Sequence, residues 1–287
     1  MNNFTKRLLT GIGFVSVLLS GIIFHPFLFF VIFVSITLLG LHEFYVLGSK
    51  MKAEPLKVTG LLIGFTIFAI TFLNAAKIVD NHVFIIIVPL FVLLAVFELY
   101  RKTPYPILNI AYSIFGILWI VVPFSLFSYF LYDTNLNSEN NFLINITNIY
   151  TGYNYKILLS FFLLLWSNDT FAYLFGVSFG KHRLFERISP KKSWEGFFGG
   201  VLMSIVMSII LSHFFNFYSL KFAVALALVV SIFGTFGDLI ESMFKRSIDV
   251  KDSGKLLPGH GGILDRFDGV FLASPIVFFI IYLFSWF

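Results

Sequence analysis

Nine apolar runs, each close to the length of a membrane crossing, dominate this chain: 8–24, 27–47, 58–76, 82–99, 107–132, 157–179, 194–215, 222–244 and 269–287. Crossing the hydrocarbon as a helix takes about 20 apolar residues, with a range of roughly 17–25. Polar punctuation separates the runs: His25-Pro26, the stretch from Lys50 to Lys57, Asp80-Asn81, Arg101 to Pro106, and the Asn-rich segment 133–155, read as an irregular loop. The runs are unbroken rather than alternating, so they do not read as strands of a membrane β-barrel. The expected fold is an all-α polytopic integral membrane protein of about nine transmembrane helices. No small-residue cleavage site follows the first run, which is therefore read as a span and not as a signal peptide.

Composition supports the same class. Of the 287 residues, 58% are apolar and only 12% are Asp, Glu, Lys or Arg, where soluble domains carry about 45–50% and about 25%. So little charge cannot cover a soluble surface of this size, and a disordered chain requires low hydrophobicity. Cys is absent, which removes disulfides, thiolate zinc sites and cysteine nucleophiles. The lipid bilayer is the expected partner; no nucleic acid is.

Basic residues sort by side. With nine spans, seventeen of the twenty Lys and Arg fall on one face, and only Lys77, Lys156 and Lys221 on the other. The positive-inside rule then places the amino terminus in the cytoplasm and the carboxy terminus on the far side. Residues 1–155 are almost purely apolar spans, whereas residues 156–287 carry polar groups inside spans and two charged cytoplasmic loops. The second region is expected to be catalytic. Asn145-Ile146-Thr147 fits a glycosylation acceptor pattern, a triplet that also arises by chance.

Charged groups at membrane depth cost at least about 2.5–3.5 kcal/mol each on insertion scales, so they are functional candidates by default. In the eighth run Asp238, Glu241, Ser242 and Lys245 recur at helical spacing and line one face. The plain alternative is an internal ion pair of Lys245 with Asp238 or Glu241. In the sixth run Asp169 lies deeper still, beside Asn168 and Thr170, for which interhelical hydrogen bonding is the plain alternative.

Two cytoplasmic loops complete the pattern. The last contains Pro258-Gly259-His260-Gly261-Gly262, followed by Asp265-Arg266-Phe267-Asp268. The glycines leave room for the backbone to approach a ligand, with N–H groups facing phosphate oxygens. Asp265 and Asp268, three residues apart, would point the same way on a first helical turn. Magnesium takes one or two protein carboxylates, with phosphate oxygens and water completing its octahedron. The earlier loop brings Lys191 and Lys192 to Ser193, a helix N-cap candidate whose new N-terminus suits an anion. Topological anchoring and attraction to anionic headgroups are the alternative there. The residues alone thus imply a cytoplasm-facing polar cavity, built from the sixth, eighth and ninth spans, for metal and phosphate.

The text from Ser242 to Asp268 closely resembles the signature of phosphatidate cytidylyltransferases (CDP-diacylglycerol synthases). Ser242, Lys245, Arg246, Lys251, Asp252, Gly254, Leu257, Pro258, His260, Gly261, Gly262, Asp265, Arg266 and Asp268 match it. Upstream, Asn168-Asp169-Thr170, Gly180-Lys181-His182, Ser189-Pro190-Lys191-Lys192-Ser193 with Glu195-Gly196, and Gly237-Asp238-Leu239 with Glu241-Ser242 are similar to the same family. The resemblance covers the second region and is weak in the first. It implies nine spans, a homodimer, a plasma-membrane enzyme of phospholipid biosynthesis, and transfer of CMP from CTP to phosphatidic acid with Mg2+, a second cation being left open.

On that basis Asp238, Lys245, Arg246, Asp265 and Arg266 are the expected catalytic residues, and Asp238, Asp265 and Asp268 the expected metal ligands. Asp169, Lys191, Lys192, Ser193, Ser242, His260, Gly261 and Gly262 are the expected substrate-binding set. Two rivals make different predictions. A secondary transporter would place its site near the bilayer midplane within an inverted repeat, and a lipid kinase would release a nucleoside diphosphate instead of pyrophosphate.

Overall fold

The computed structural model describes residues 3–132, 152–215, 219–254 and 261–284. The Asn145 triplet and His260 lie outside the described residues. Among the described residues eight helical spans are long and apolar enough to cross a membrane: Pro26–Met51, Lys57–Ala75, Asn81–Leu99, Pro106–Phe130, Lys156–Phe179, Trp194–Phe215, Leu220–Ser247 and Leu264–Leu283. The first run forms the helix Asn3–Ile23, whose apolar part is the shorter Leu8–Ile23. The protein is an all-α polytopic integral membrane protein, as the runs imply.

We number the helices α1 (Asn3–Ile23), α2 (Pro26–Gly48), α3 (Lys57–Ala75), α4 (Ile87–Leu99), α5 (Pro106–Phe130), α6 (Lys156–Phe179), α7 (Trp194–Phe215), α8 (Leu220–Ser247), α9 (Leu264–Phe267) and α10 (Val270–Phe284). Local chemistry sets several ends. His25 caps α2 by accepting the Phe27 N–H at 3.1 Å, with Pro26 next to it. Ser219 caps α8 through the Phe222 N–H at 3.3 Å. Within α5 a π turn spans Ile117–Val121. It ends two residues before Pro123, which has no N–H to donate and so breaks the α ladder.

The chain clusters into two compact units, residues 1–153 with 252–267, and residues 154–251 with 268–287. The first unit has an aromatic core: Phe29, Phe33, Phe68, Phe124, Phe127 and Phe130 are all buried. Phe267 of α9 joins it, edge-on to Phe124 at 5.0 Å between ring centroids.

The second unit is packed through small residues. Ala172 and Gly176 on α6 face Gly196 and Gly200 on α7, and the fit is tight. A Cβ at Gly196 would lie 2.6 Å from the Ala172 carbonyl oxygen, and one at Gly200 2.8 Å from that of Asn168. Without a hydrophobic force between helices in lipid, such close backbone approach is a main source of helix association. Gly237 on α8 likewise faces the backbone of Asp268, whose carbonyl oxygen would meet a Cβ at 2.6 Å.

Two features depart from the sequence expectation. The loop between α6 and α7 contains a β-hairpin, β1 (Arg183–Phe185) antiparallel to β2 (Ser189–Ser193), with a register irregularity between its pairs. In addition, α9 ends at Phe267 and a turn at residues 268–269 separates it from α10. Asp265 and Asp268 therefore do not share one helical turn. The Asp268 carboxylate instead accepts the N–H of Gly269 at 2.7 Å, within the turn that interrupts the helix.

Candidate active site

Helices α6, α7 and α8 and the hairpin enclose a cavity of about 550 Å³, lined among others by Asp169, Asp238, Arg183, Lys191, Lys192 and Ser193. A second cavity of about 580 Å³ lies in the first unit beside Glu54, Lys57 and Arg101, and contains none of the expected site residues. The first is the better candidate because it gathers acidic and basic groups from three elements.

The hairpin delivers the basic groups. Glu195, in the first turn of α7, accepts the N–H groups of Lys181 at 3.1 Å and His182 at 3.2 Å. Its other oxygen pairs with His182 Nδ1 at 2.7 Å. The Trp194 N–H donates to the His182 carbonyl at 2.9 Å, closing the base of the hairpin. Ser193 is buried and its hydroxyl accepts the Gly196 N–H at 3.2 Å, so it caps α7 as its position implies. Lys192 is thereby presented to α8, where its ammonium meets the Asp238 carboxylate at 2.5 Å. Lys191 and Arg183 remain exposed at the rim.

On α8 the expected polar face is present, but its members divide. Ser242 Oγ donates to Asp238 Oδ1 at 3.2 Å. Lys245 pairs with the buried Glu241 at 2.5 Å, which is the internal ion pair offered above as the plain alternative. Asn168 donates from Nδ2 to Thr235 Oγ1 at 3.3 Å, an interhelical hydrogen bond from α6 to α8. The Asp268 carboxylate interacts electrostatically with those of Asp238, Glu241 and Asp169, and the Asp169 carboxylate with Asp238 and with the Lys192 ammonium. Among the described residues, Asp238 and Glu241 are in ion pairs and Asp169 and Asp268 are not.

That imbalance bears on a metal. Among the described residues no three Asp, Glu or His converge tightly enough to hold an ion as they stand. The donor chemistry is nevertheless of the kind a hard divalent cation takes, carboxylates within electrostatic reach of one another. Magnesium and the residues of the second unit are compatible.

Asp265 belongs to the first unit. Its Oδ2 accepts the N–H groups of Ser253 at 2.9 Å and Gly262 at 2.8 Å, and the Ser253 hydroxyl at 3.0 Å. The N–H of Gly262, expected to face phosphate, is thus directed at a carboxylate of the chain itself. Gly261 has a positive φ of 84°, and a Cβ there would stand 2.5 Å from Asp265 Oδ2. Arg246 and Arg266 are exposed, Arg246 in the last turn of α8 and Arg266 in α9.

The sequence does not single out Glu195 or Arg183 as site residues, and it passes over Glu43 on α2. For Glu43 a signal was present: a carboxylate within an apolar run, Leu41-His42-Glu43-Phe44. For the hairpin there was little, since strands of three and five residues, the second containing Pro190, show no alternation.

Fold and cavity together define a polytopic membrane protein with a mixed-charge site beside its helix ends. A sequence model of the Cytidylyltransferase family matches residues 5–284, and the chain belongs to that family. It is similar to the phosphatidate cytidylyltransferase of Staphylococcus epidermidis, 47% identical over 123 residues, which is 42% of this chain and 47% of that protein. It is also similar to those of Staphylococcus aureus, 48% identical over 117 residues (40% and 45%), and Staphylococcus haemolyticus, 47% identical over 117 residues (40% and 45%). The chain spans about half the length of the relatives it matches.

Proposed function

We propose that this protein is a phosphatidate cytidylyltransferase: CTP and phosphatidate give CDP-diacylglycerol and pyrophosphate, a step of phospholipid biosynthesis. The observation that carries it is the single cavity in which Lys192, Lys191 and Arg183 meet Asp238 and Asp169, in a chain of this family. A nucleoside triphosphate and a lipid phosphate both need cationic partners, and a lipid substrate needs a site reached from the bilayer.

In the proposed reaction a phosphatidate phosphate oxygen attacks the α-phosphorus of CTP. The bond from that phosphorus to the α–β bridging oxygen breaks, and pyrophosphate leaves with the electron pair. The nucleophile is already ionised near neutral pH, so no protein base or nucleophile is required. What the chain supplies is positioning and charge. Lys192, steadied by Asp238, neutralises phosphate charge within the cavity, and Lys191 and Arg183 do so at its rim. Lys245, Arg246 and Arg266 are assigned to the same task, and His260 to hydrogen bonding of phosphate, on the sequence resemblance.

Asp238 and Asp268, supported by Asp169, would hold Mg2+. The assignment of Asp265 to metal binding rests on the resemblance alone. Held there, such an ion would supply positive charge to offset that of the phosphate oxygens. A homodimer in the bacterial plasma membrane, with the site facing the cytoplasm, belongs to the same proposal. What supports the facing is that nine spans read from the sequence sort seventeen of the twenty basic residues to one side.

The test is incubation of the purified protein with CTP, phosphatidate and Mg2+. The expected outcome is a chloroform-soluble cytidine lipid formed together with an equal amount of pyrophosphate. Absence of both in a folded preparation would refute the proposal.

A further inference from the structure

Glu43 lies on α2, more than two hundred residues before the Gly-rich segment, yet it is built into that segment's ends. Its Oε2 accepts the N–H of Leu264 at 2.9 Å. Its carboxylate also interacts with the backbone N–H of Ile263 and the hydroxyl of Ser253. The same hydroxyl donates to Asp265 Oδ2 at 3.0 Å, so Ser253 stands within hydrogen-bonding reach of both carboxylates. Two like-charged, half-buried groups are thus held close together. The arrangement is tolerable only because N–H and O–H donors from residues 253 and 262–264 point at them.

The glycines give an independent observation. A Cβ on Gly254 or on Gly262 would run directly into Glu43 Oε1. Both positions are cleared of side chain where the Glu43 carboxylate sits, just as Gly261 is cleared for Asp265. Glycine here admits the chain's own carboxylates, and the fit around Glu43 leaves no room for a longer or displaced group.

We propose that Glu43 is a positioning residue for the cytidylyl transfer: by gripping Ser253, Ile263 and Leu264 it fixes the orientation of Asp265. The proposal rests on the function assigned above. Its geometric half concerns hydrogen-bonding reach, not charge. A Gln keeps the length, an acceptor for the Leu264 N–H and a polar partner for Ser253. An Asp keeps the charge but falls one methylene short, and a Leu loses both.

The experiment compares Glu43→Gln, Glu43→Asp and Glu43→Leu with the parent protein in detergent, by two readouts. The first is amide hydrogen exchange of peptides covering residues 252–254 and 261–267, without substrate or metal. The second is steady-state kinetics with CTP, phosphatidate and Mg2+. Faster exchange is expected in Glu43→Asp and Glu43→Leu and parent-like exchange in Glu43→Gln. Both impaired variants should show a lower kcat with little change in KM for CTP.

Restoration by Gln of exchange and kinetics together supports positioning by reach. Unchanged exchange in a folded Glu43→Asp or Glu43→Leu overturns the proposal, and so does Glu43→Gln behaving as badly as Glu43→Leu. Should Glu43→Leu fail to fold, Glu43→Asp carries the decision. If the parent protein makes no cytidine lipid, the assigned function falls, and the exchange result still decides whether Glu43 orders the segment.

Discussion

Lys192 and Asp238 are 46 residues apart in sequence, yet the ammonium of one lies 2.5 Å from the carboxylate of the other, partly exposed in a cavity shared by β2 and α8. The contact joins the two polar features of the second unit, the basic hairpin and the acidic helix face. Each alone has a bland explanation, an anchoring loop or an internal ion pair. Together they place cation and anion where a phosphate with its metal would need both.

The pair makes a non-additive prediction. Asp238→Asn keeps an oxygen for Ser242 but removes the charge facing Lys192, and turnover should fall by about 10²-fold or more. Lys192→Met should be similarly impaired. Because each change breaks the same contact, the double variant should lose less than the product of the single losses. Size-exclusion chromatography confirms folding, and a fully multiplicative loss would mean that the two residues act independently.

Glu195 is expected to act through the hairpin. In Glu195→Ala the N–H groups of Lys181 and His182 lose their acceptor, so Lys191, Lys192 and Arg183 are held less firmly. The KM for CTP or phosphatidate should rise several-fold with kcat close to that of the parent. A fall in kcat at unchanged KM would contradict this and place Glu195 closer to the chemistry.

The close approach of α6 and α7 predicts a stability effect. In Gly200→Ala the new methyl would stand 2.6 Å from Asn168 Oδ1 and 2.8 Å from the Asn168 carbonyl. Overpacking of this kind costs about 1–3 kcal/mol. The Tm of the detergent-solubilised protein should drop accordingly; an unchanged Tm would show that the helices part at no cost.

Chelation should abolish product formation, and added Mg2+ should restore it. Asp268→Asn removes a carboxylate of the acidic group that has no ion pair among the described residues, and it should raise the half-saturating magnesium concentration by about tenfold. An identical magnesium curve for a folded Asp268→Asn would remove Asp268 from the metal site.

How much of this was legible in the sequence follows from the range of the interactions involved. The spans were legible, because a 17–25-residue apolar run has essentially one fate in a bilayer. The helical face of Asp238, Glu241, Ser242 and Lys245 followed from spacing alone, as did the Ser193 cap. Partners across elements did not: nothing in the sequence says that Lys192 meets Asp238 or that Glu43 sits in the space left by Gly254 and Gly262. Gly261 and Gly262 read as clearance for a ligand, and the structure fills that clearance with the carboxylates of Asp265 and Glu43. Asp265 and Asp268 were expected on one turn, and the interruption of the helix at 268–269 separates them.

The central claim, transfer of the α-phosphoryl group of CTP to a lipid phosphate, is tested most directly with CTP radiolabelled at either its α- or its γ-phosphorus. With purified protein, phosphatidate and Mg2+, the α-label should enter the lipid fraction and the γ-label should appear only in pyrophosphate. Appearance of the γ-label in lipid, with CDP as the released nucleotide, would contradict the account and identify a lipid kinase.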